Sequence, residues 1–278
     1  MKKMINKTVV EGVLLEKELR SGVAEKSGVK YIAGKLHLET EDGNTISVEL
    51  YEGEKTSKGL ENPKFATLKS IYDNAKTKHS GAEKPTLLKI NSAFGTNDWY
   101  NKEGELVCSL VNKGGYINVV SATSPKSEFE VDVVIQSVVP EIRNEVETGR
   151  AYVNGLIFNY ANQALPAKFV VDNPKGVAFF AALPKNTFTR VWGKQVNSSV
   201  TSERMEESAF GDAKVAKTSY TRKEFVITGA QVEPYDDMQL TADELNTAIQ
   251  NRNLAMAELK NRTVSKETSK PAFGGFSF

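Results

Sequence analysis

The segment Thr187-Phe188-Thr189-Arg190-Val191-Trp192-Gly193-Lys194 alternates aromatic rings and cations with other residues. Side chains of a strand alternate faces, so Phe188, Arg190, Trp192 and Lys194 are expected on one face. Rings that stack on bases, set among cations that neutralise phosphates, are the chemistry of single-strand nucleic-acid binding. The competing reading puts Phe188 and Trp192 in a core. It would carry Arg190 and Lys194 inward between them, and unpaired buried charge is costly.

A second group lies near the N-terminus. Tyr31, Lys35, His37 and Tyr51 fall at alternate positions of two strand-like runs, on the face opposite Ile32, Leu36, Leu38, Ile46, Val48 and Leu50. Trp99-Tyr100 sits in the polar run Gly95–Lys102 and reads as a loop-tip stacking platform, with packing back on the barrel as the alternative. Residues 55–89 hold eight Lys, Lys89 among them, against three carboxylates; residues 184–223 hold eight basic residues against four acidic ones. The chain as a whole carries a formal net charge of only +1, so a nucleic-acid site has to be a local patch. Such charge runs also occur on ordinary solvated faces.

Other chemistry is thinly provided. His37, His79 and Cys108 are the only His and Cys residues, too few for a Cys/His zinc site. No glycine-rich phosphate loop and no Gly-x-Ser-x-Gly is present, and no spacing singles out a carboxylate pair. The expectation is a protein that is not an enzyme and has no cofactor or metal. One cysteine excludes an intramolecular disulfide, consistent with a reducing compartment. No apolar run follows Lys2-Lys3, and none approaches the ~18 residues of a membrane span. A cytoplasmic protein without a membrane partner is expected.

The elements that must position these residues are mostly strands. Thr8–Leu15 contains Gly12, a signal of a bend or bulge. Tyr31–Thr40 and Ile46–Tyr51 alternate cleanly around the Asp42-Gly43 turn. Asn62 and Pro63 open a helix with Phe65, Leu68, Ile71, Tyr72 and Ala75 on one face. Strands are predicted again over Thr86–Phe94, Glu105–Val111 and Phe129–Val139, with an extra hairpin around Trp99–Leu106. Three strands, a helix and further strands suit a five-stranded OB barrel.

The pattern then restarts. Ala151–Ile157 looks like Thr8–Leu14, with Gly155 in the place of Gly12, and the closing runs Val131–Pro140 and Phe225–Pro234 resemble each other. Strands are predicted at Ala167–Val171, Val177–Leu183, Thr187–Lys194 and Lys223–Val232. The expected fold class is mainly β. Two OB-type barrels lie in tandem, with a helix in the first, a C-terminal helix and a flexible tail. The first barrel takes residues 1–142 and the second 150–236, joined at Glu141–Gly149. A capping box of Thr241 and Glu244 opens a helix over 237–262. Residues 263–278 form a polar tail whose Phe273, Phe276 and Phe278 would contact a partner.

Met4-Ile5-Asn6-Lys7-Thr8-Val9-Val10-Glu11-Gly12-Val13-Leu14, followed by Glu18-Leu19-Arg20, resembles the opening of bacterial single-stranded DNA-binding proteins. The resemblance implies an OB fold, binding of single-stranded DNA with little sequence readout, and a role in replication or recombination. Phe278 matches the terminal Phe through which that family recruits replication and recombination proteins. The family's tip is acidic, whereas this tail carries Lys266 and Lys270. The long first loop, the inserted hairpin and the second barrel resemble divergent bacteriophage versions. Two alternatives stay open: an RNA-binding protein with the same folds, and a β-rich virion or assembly protein whose exposed aromatics are subunit contacts. Self-association is compatible with each.

Overall fold

The structure, a computed structural model, describes residues 4–41, 43–143, 145–206, 214–233 and 240–268. Phe273, Phe276 and Phe278 lie outside the described residues. Among the described residues, ten strands and three helices follow one another in two similar series. The first runs β1 (Asn6–Val23), β2 (Lys30–Glu41), β3 (Asn44–Gly53), α1 (Pro63–Asn74), β4 (Leu87–Tyr100) and β5 (Leu106–Val119). The second runs β6 (Lys126–Arg143), β7 (Val146–Phe158), β8 (Ala164–Val171), α2 (Pro174–Ala182), β9 (Phe188–Glu206) and β10 (Lys214–Ala230), followed by α3 (Ala242–Thr268).

Strand pairing closes each series into a ring. In the first, β1 pairs with β2 and β4, β2 with β3, β4 with β5, and β3 with β5 in parallel. In the second, β6 pairs with β7 and β9, β7 with β8, β9 with β10, and β8 with β10 in parallel. The ring order is the same in both, and each places its helix between the third and fourth strands. The molecule is mainly β, with two OB-type barrels in tandem.

Several expectations need correction. The strand over Phe129–Val139, expected to close the first barrel, is part of β6 and opens the second. Its first half also pairs with β1, from Asn6↔Val131 to Glu11↔Lys126, which joins the rings edge to edge. The run at Ala151–Ile157 is therefore the second strand of its barrel, and Glu141–Gly149 belongs to the β6–β7 hairpin. The two rings divide between β5 and β6. Gly155 and Gly12 each allow a close approach of the neighbouring strand, but they lie on different strands of their barrels. A Cβ on Gly12 would collide with the Glu39 carbonyl of β2, and one on Gly155 would meet Val133 Cγ2 at 2.5 Å and the Val134 carbonyl at 2.8 Å.

Val177–Leu183, predicted as a strand, is mostly α2. Asn173 caps it by accepting from Gly176 N at 2.7 Å, and Pro174 occupies its first turn. An apolar run this short does not distinguish a buried strand from a helix. The hairpin at Trp99–Leu106 is no insertion; β4 and β5 themselves continue to it. α3 runs past Arg262 to Thr268, so the predicted tail begins as helix.

The first core gathers Val10, Leu14, Leu36, Leu38, Val48 and Ile90 under Phe65, Leu68 and Ile71 of α1. In the second, Phe94 of β4 crosses from the first ring to pack with Phe129 and, edge to face, with Phe225 at 4.9 Å. Aromatic pairs of this geometry add to the gain from burial alone. α3 lays Leu245, Ala248 and Ile249 over Val134, Phe158, Ala164 and Phe188. Farther along, Arg252 grips the first ring's hairpin through Asp98 (2.5 and 2.8 Å) and Thr96 (3.1 Å). Among the described residues no helix is long and apolar enough to cross a membrane.

Candidate nucleic-acid interface

OB barrels bind oligonucleotides on the outer face of their second and third strands. In the first ring that face belongs to β2 and β3, where Lys35 lies across from Glu49 and His37 from Ser47. Tyr31 and Tyr51 stack with centroids 5.3 Å apart and planes 22° from parallel. Tyr51 is well exposed. Lys35 pairs loosely with Glu49 at 3.6 Å, a solvated ion pair of small energy. His37 Nδ1 lies 2.8 Å from the Ser47 hydroxyl, and Nε2 lies 3.5 Å from Glu18. The structure thus gathers Tyr31, Lys35, His37 and Tyr51 on one surface. The alternation of two half-buried strands dictates this, since their apolar residues fill the core.

The equivalent face of the second ring, on β7 and β8, carries Tyr152, Asn154 and Lys168. Sequence reasoning missed these residues. One Tyr and one Lys in separate runs form no pattern, and reading Ala151–Ile157 as the first strand of its barrel, when it is part of the second, hides the face that Tyr152 shares with Lys168. Asn154 and Lys168 are cross-strand partners, and Lys168 Nζ sits 3.6 Å from the centroid of the Tyr152 ring. The Tyr152 hydroxyl donates to Glu141 Oε1 at 2.7 Å. Glu141 is buried and also accepts from Thr148 (2.8 Å), Arg143 (3.0 Å) and Arg150 (3.0 Å). Burial pushes its carboxyl pKa up. The hydrogen bonds from Tyr152, Thr148 and Arg143, with the Arg150 charge, outweigh that and hold it at about 2. The same contact raises the Tyr152 phenol.

The two faces meet. One cleft is lined by Gly34, Lys35, Glu49, Tyr51 and Lys113. A second shares Lys35 and Glu49 with it and reaches Asn112, Lys223 and Phe225. A third, of about 670 Å³, shares Leu110, Lys223 and Phe225 with the second and extends to Tyr152, Asn154 and Lys168. The three clefts adjoin through these shared residues and together make a groove over both barrels. Tyr51, Phe225 and Tyr152 line it together with Lys35, Lys113, Lys223 and Lys168. Its inner carboxylate, Glu224, is paired with Arg150 and with Arg222 (2.7 Å), so it presents little negative field to a phosphate.

The segment Phe188–Lys194 is placed elsewhere. It is a regular strand, and Arg190, Trp192 and Lys194 do share its outer face. Phe188 is at 3% exposure because α3 covers that end of the strand, which corrects the expectation of an exposed ring. The cross-strand partners of Arg190, Trp192 and Lys194 are Asp132, Glu130 and Glu128. Arg190 Nε donates to Asp132 at 2.8 Å. Trp192 is partly exposed, lies against Gly229, and lines a separate cleft with Lys7, Glu128 and Glu130 that shares no residue with the groove. Long-range pairing with an acidic strand, invisible in the local sequence, balances this face electrically.

The remaining candidates are also outside the groove. Tyr100 donates to the Met256 carbonyl at 3.3 Å, so that ring of the pair packs against α3, while Trp99 stays half exposed. Lys89 pairs with Glu11 at 3.2 Å.

Comparison with known proteins agrees with this architecture. The sequence model of the YorF family matches residues 4–262, and the chain belongs to that family. No curated protein matches the sequence. Wild-type single-stranded DNA binding protein from Thermus aquaticus superposes with a TM-score of 0.51 at 9% identity, over 87% of this chain and 99% of that one. A deletion mutant of the same Thermus aquaticus protein gives a TM-score of 0.47 at 11% identity, over 86% of this chain and all of the other.

Proposed function

We propose that this YorF-family protein binds single-stranded DNA along the groove that runs over both barrels. The observation that carries the reading is that the clefts adjoin, each sharing lining residues with the next, from one OB face to the other. Rings at Tyr51 and Tyr152 offer stacking surfaces that any base can use, the partly buried Phe225 lines the wall, and the lysines beside them supply positive charge for a backbone. Duplex DNA keeps its bases inside and cannot use the rings. The likeness to a Thermus single-stranded DNA binding protein supports the fold, and the groove supports the ligand. We assign the protein a binding role without turnover, on single strands exposed in replication or recombination.

Anisotropy titrations with labelled single-stranded DNA, duplex DNA and RNA of one length, each at two salt concentrations, test the reading. Single strands should bind more tightly than duplex, and affinity should fall as salt rises through release of counterions. Equal affinity for duplex, or no binding at low salt, would overturn it. RNA bound far more tightly than DNA would move the assignment to an RNA ligand.

A further inference from the structure

Among the described residues, Tyr152 is the groove ring whose polar end is anchored in a buried network and whose face is occupied by a cation. Its hydroxyl is held by Glu141, whose other acceptor positions are filled by Thr148, Arg143 and Arg150. Arg150 continues the network to Glu224 in the groove wall. The ring is therefore fixed before any ligand arrives. Lys168, exposed on the neighbouring strand, rests its ammonium on that ring at 3.6 Å. A cation over an aromatic face at an exposed site gains little energy, so the contact is easily exchanged.

We infer that Tyr152 is the base-stacking platform of the second barrel, that Glu141 is its positioning residue, and that Lys168 leaves the ring for a phosphate when the strand binds. The inference rests on the groove being the single-strand site. It assigns two jobs to one cation–ring pair. In the free protein Lys168 shields an aromatic face from water. In the complex a base takes that face, and the displaced ammonium, on a flexible stem, reaches the adjoining phosphate. Rigid support matters because a platform that must first be ordered loses binding energy to that ordering.

Four variants of the full chain, titrated with oligo-dT over a salt series, test this. Tyr152→Ala should lose roughly five- to a hundredfold in affinity, the range for a base stacked on an aromatic ring, with the salt slope unchanged. Tyr152→Phe keeps the ring and removes only the anchor; it should bind severalfold more weakly than wild type at a temperature where circular dichroism shows both fully folded. Glu141→Gln keeps the shape of the anchor but not its charge, and should show the same partial loss. Lys168→Gln should reduce the salt slope by about 0.7, the loss of one phosphate contact on a single strand. At high salt it should bind as well as wild type, because its ring is uncovered. An unchanged slope in Lys168→Gln would overturn the exchange. Wild-type affinity in Tyr152→Phe would overturn the positioning role, and wild-type affinity in Tyr152→Ala would overturn the platform. Failure of the groove reading itself looks different, since the wild-type protein would then not bind the oligonucleotide at all.

Discussion

Glu11 and Asp132 occupy equivalent positions on the first strands of the two barrels, and each is buried against a cation from its own fourth strand. Glu11 meets Lys89 at 3.2 Å, and Asp132 meets Arg190 at 2.8 Å. The bulges fix the equivalence: pairing skips Leu15 between β1 and β2, and Gln136 between β6 and β7. Counting back equally from each bulge brings Glu11 opposite Lys89 and Asp132 opposite Arg190. It also reaches Thr8 and Phe129, which are paired with each other across the β1–β6 joint. The two rings are thus related by a local twofold through that joint. Lys89 and Arg190, both read from sequence as nucleic-acid contacts, are the two copies of one structural ion pair. A backbone amide of Ser124 and the Lys89 charge hold the Glu11 carboxyl below its ordinary range, with burial opposing them.

Asp132→Ala should therefore be a stability variant. It strips Arg190 of its buried partner and leaves the Ile5 amide without its 2.7 Å acceptor. Breaking such a pair from one side typically costs about 3 kcal/mol or more. Urea unfolding should show that loss while the folded fraction keeps wild-type affinity for single-stranded DNA. A loss below about 1 kcal/mol would mean that the pair contributes little to stability.

Tyr51 and Trp192 separate the groove from the β9 face. Tyr51→Ala should weaken single-strand binding by about 1–3 kcal/mol. Trp192→Ala should leave it unchanged, because that ring lies among Glu128 and Glu130 in a different cleft. The reverse result in the same titration would place the binding surface on β9.

Phe188→Ala should act through α3. The ring is buried between the second barrel and the helix, so its removal should cost about 3–5 kcal/mol. Limited proteolysis should then cut within residues 240–268 much faster than in wild type. Unchanged cleavage would show that α3 is held by Arg252 and its partners alone.

Glu141 should give the protein an acid-sensitive component. Its carboxyl sits at about 2 when folded and at the ordinary 4.5 when unfolded. The folded state binds the proton less readily, so the stabilisation is complete above pH 4.5 and is lost as pH falls toward 2. It amounts to about 3 kcal/mol. Unfolding free energies measured from pH 7 to pH 3 should fall steeply in wild type and less steeply in Glu141→Gln, which starts lower at pH 7. Parallel curves would remove Glu141 from the acid response.

The face around Tyr31, Lys35, His37 and Tyr51 was legible in the sequence because alternation is a local property, and a strand with one apolar face has only one way to lie on a core. The same alternation marked the start of β9, over Phe188–Lys194, and put Arg190, Trp192 and Lys194 on one side of it. It could not see that β6 runs alongside with a carboxylate opposite each of them, since that neighbour lies some sixty positions away in the chain.

By itself the sequence determined the class of fold, the helix that opens at Pro63, the capping box at Thr241 and the outer face of β2 and β3. All of these follow from turn chemistry, capping and short-range periodicity. Only the tertiary structure decided which strands close which ring, that Phe188 lies under α3, and that Tyr152, Lys168, Lys223 and Phe225 line one groove with Tyr51. The physical reason is that strand pairing is non-local. Each backbone can accept many partners, and the choice is made by the joint burial of residues such as Phe94, Phe129 and Phe225, drawn from both halves of the chain.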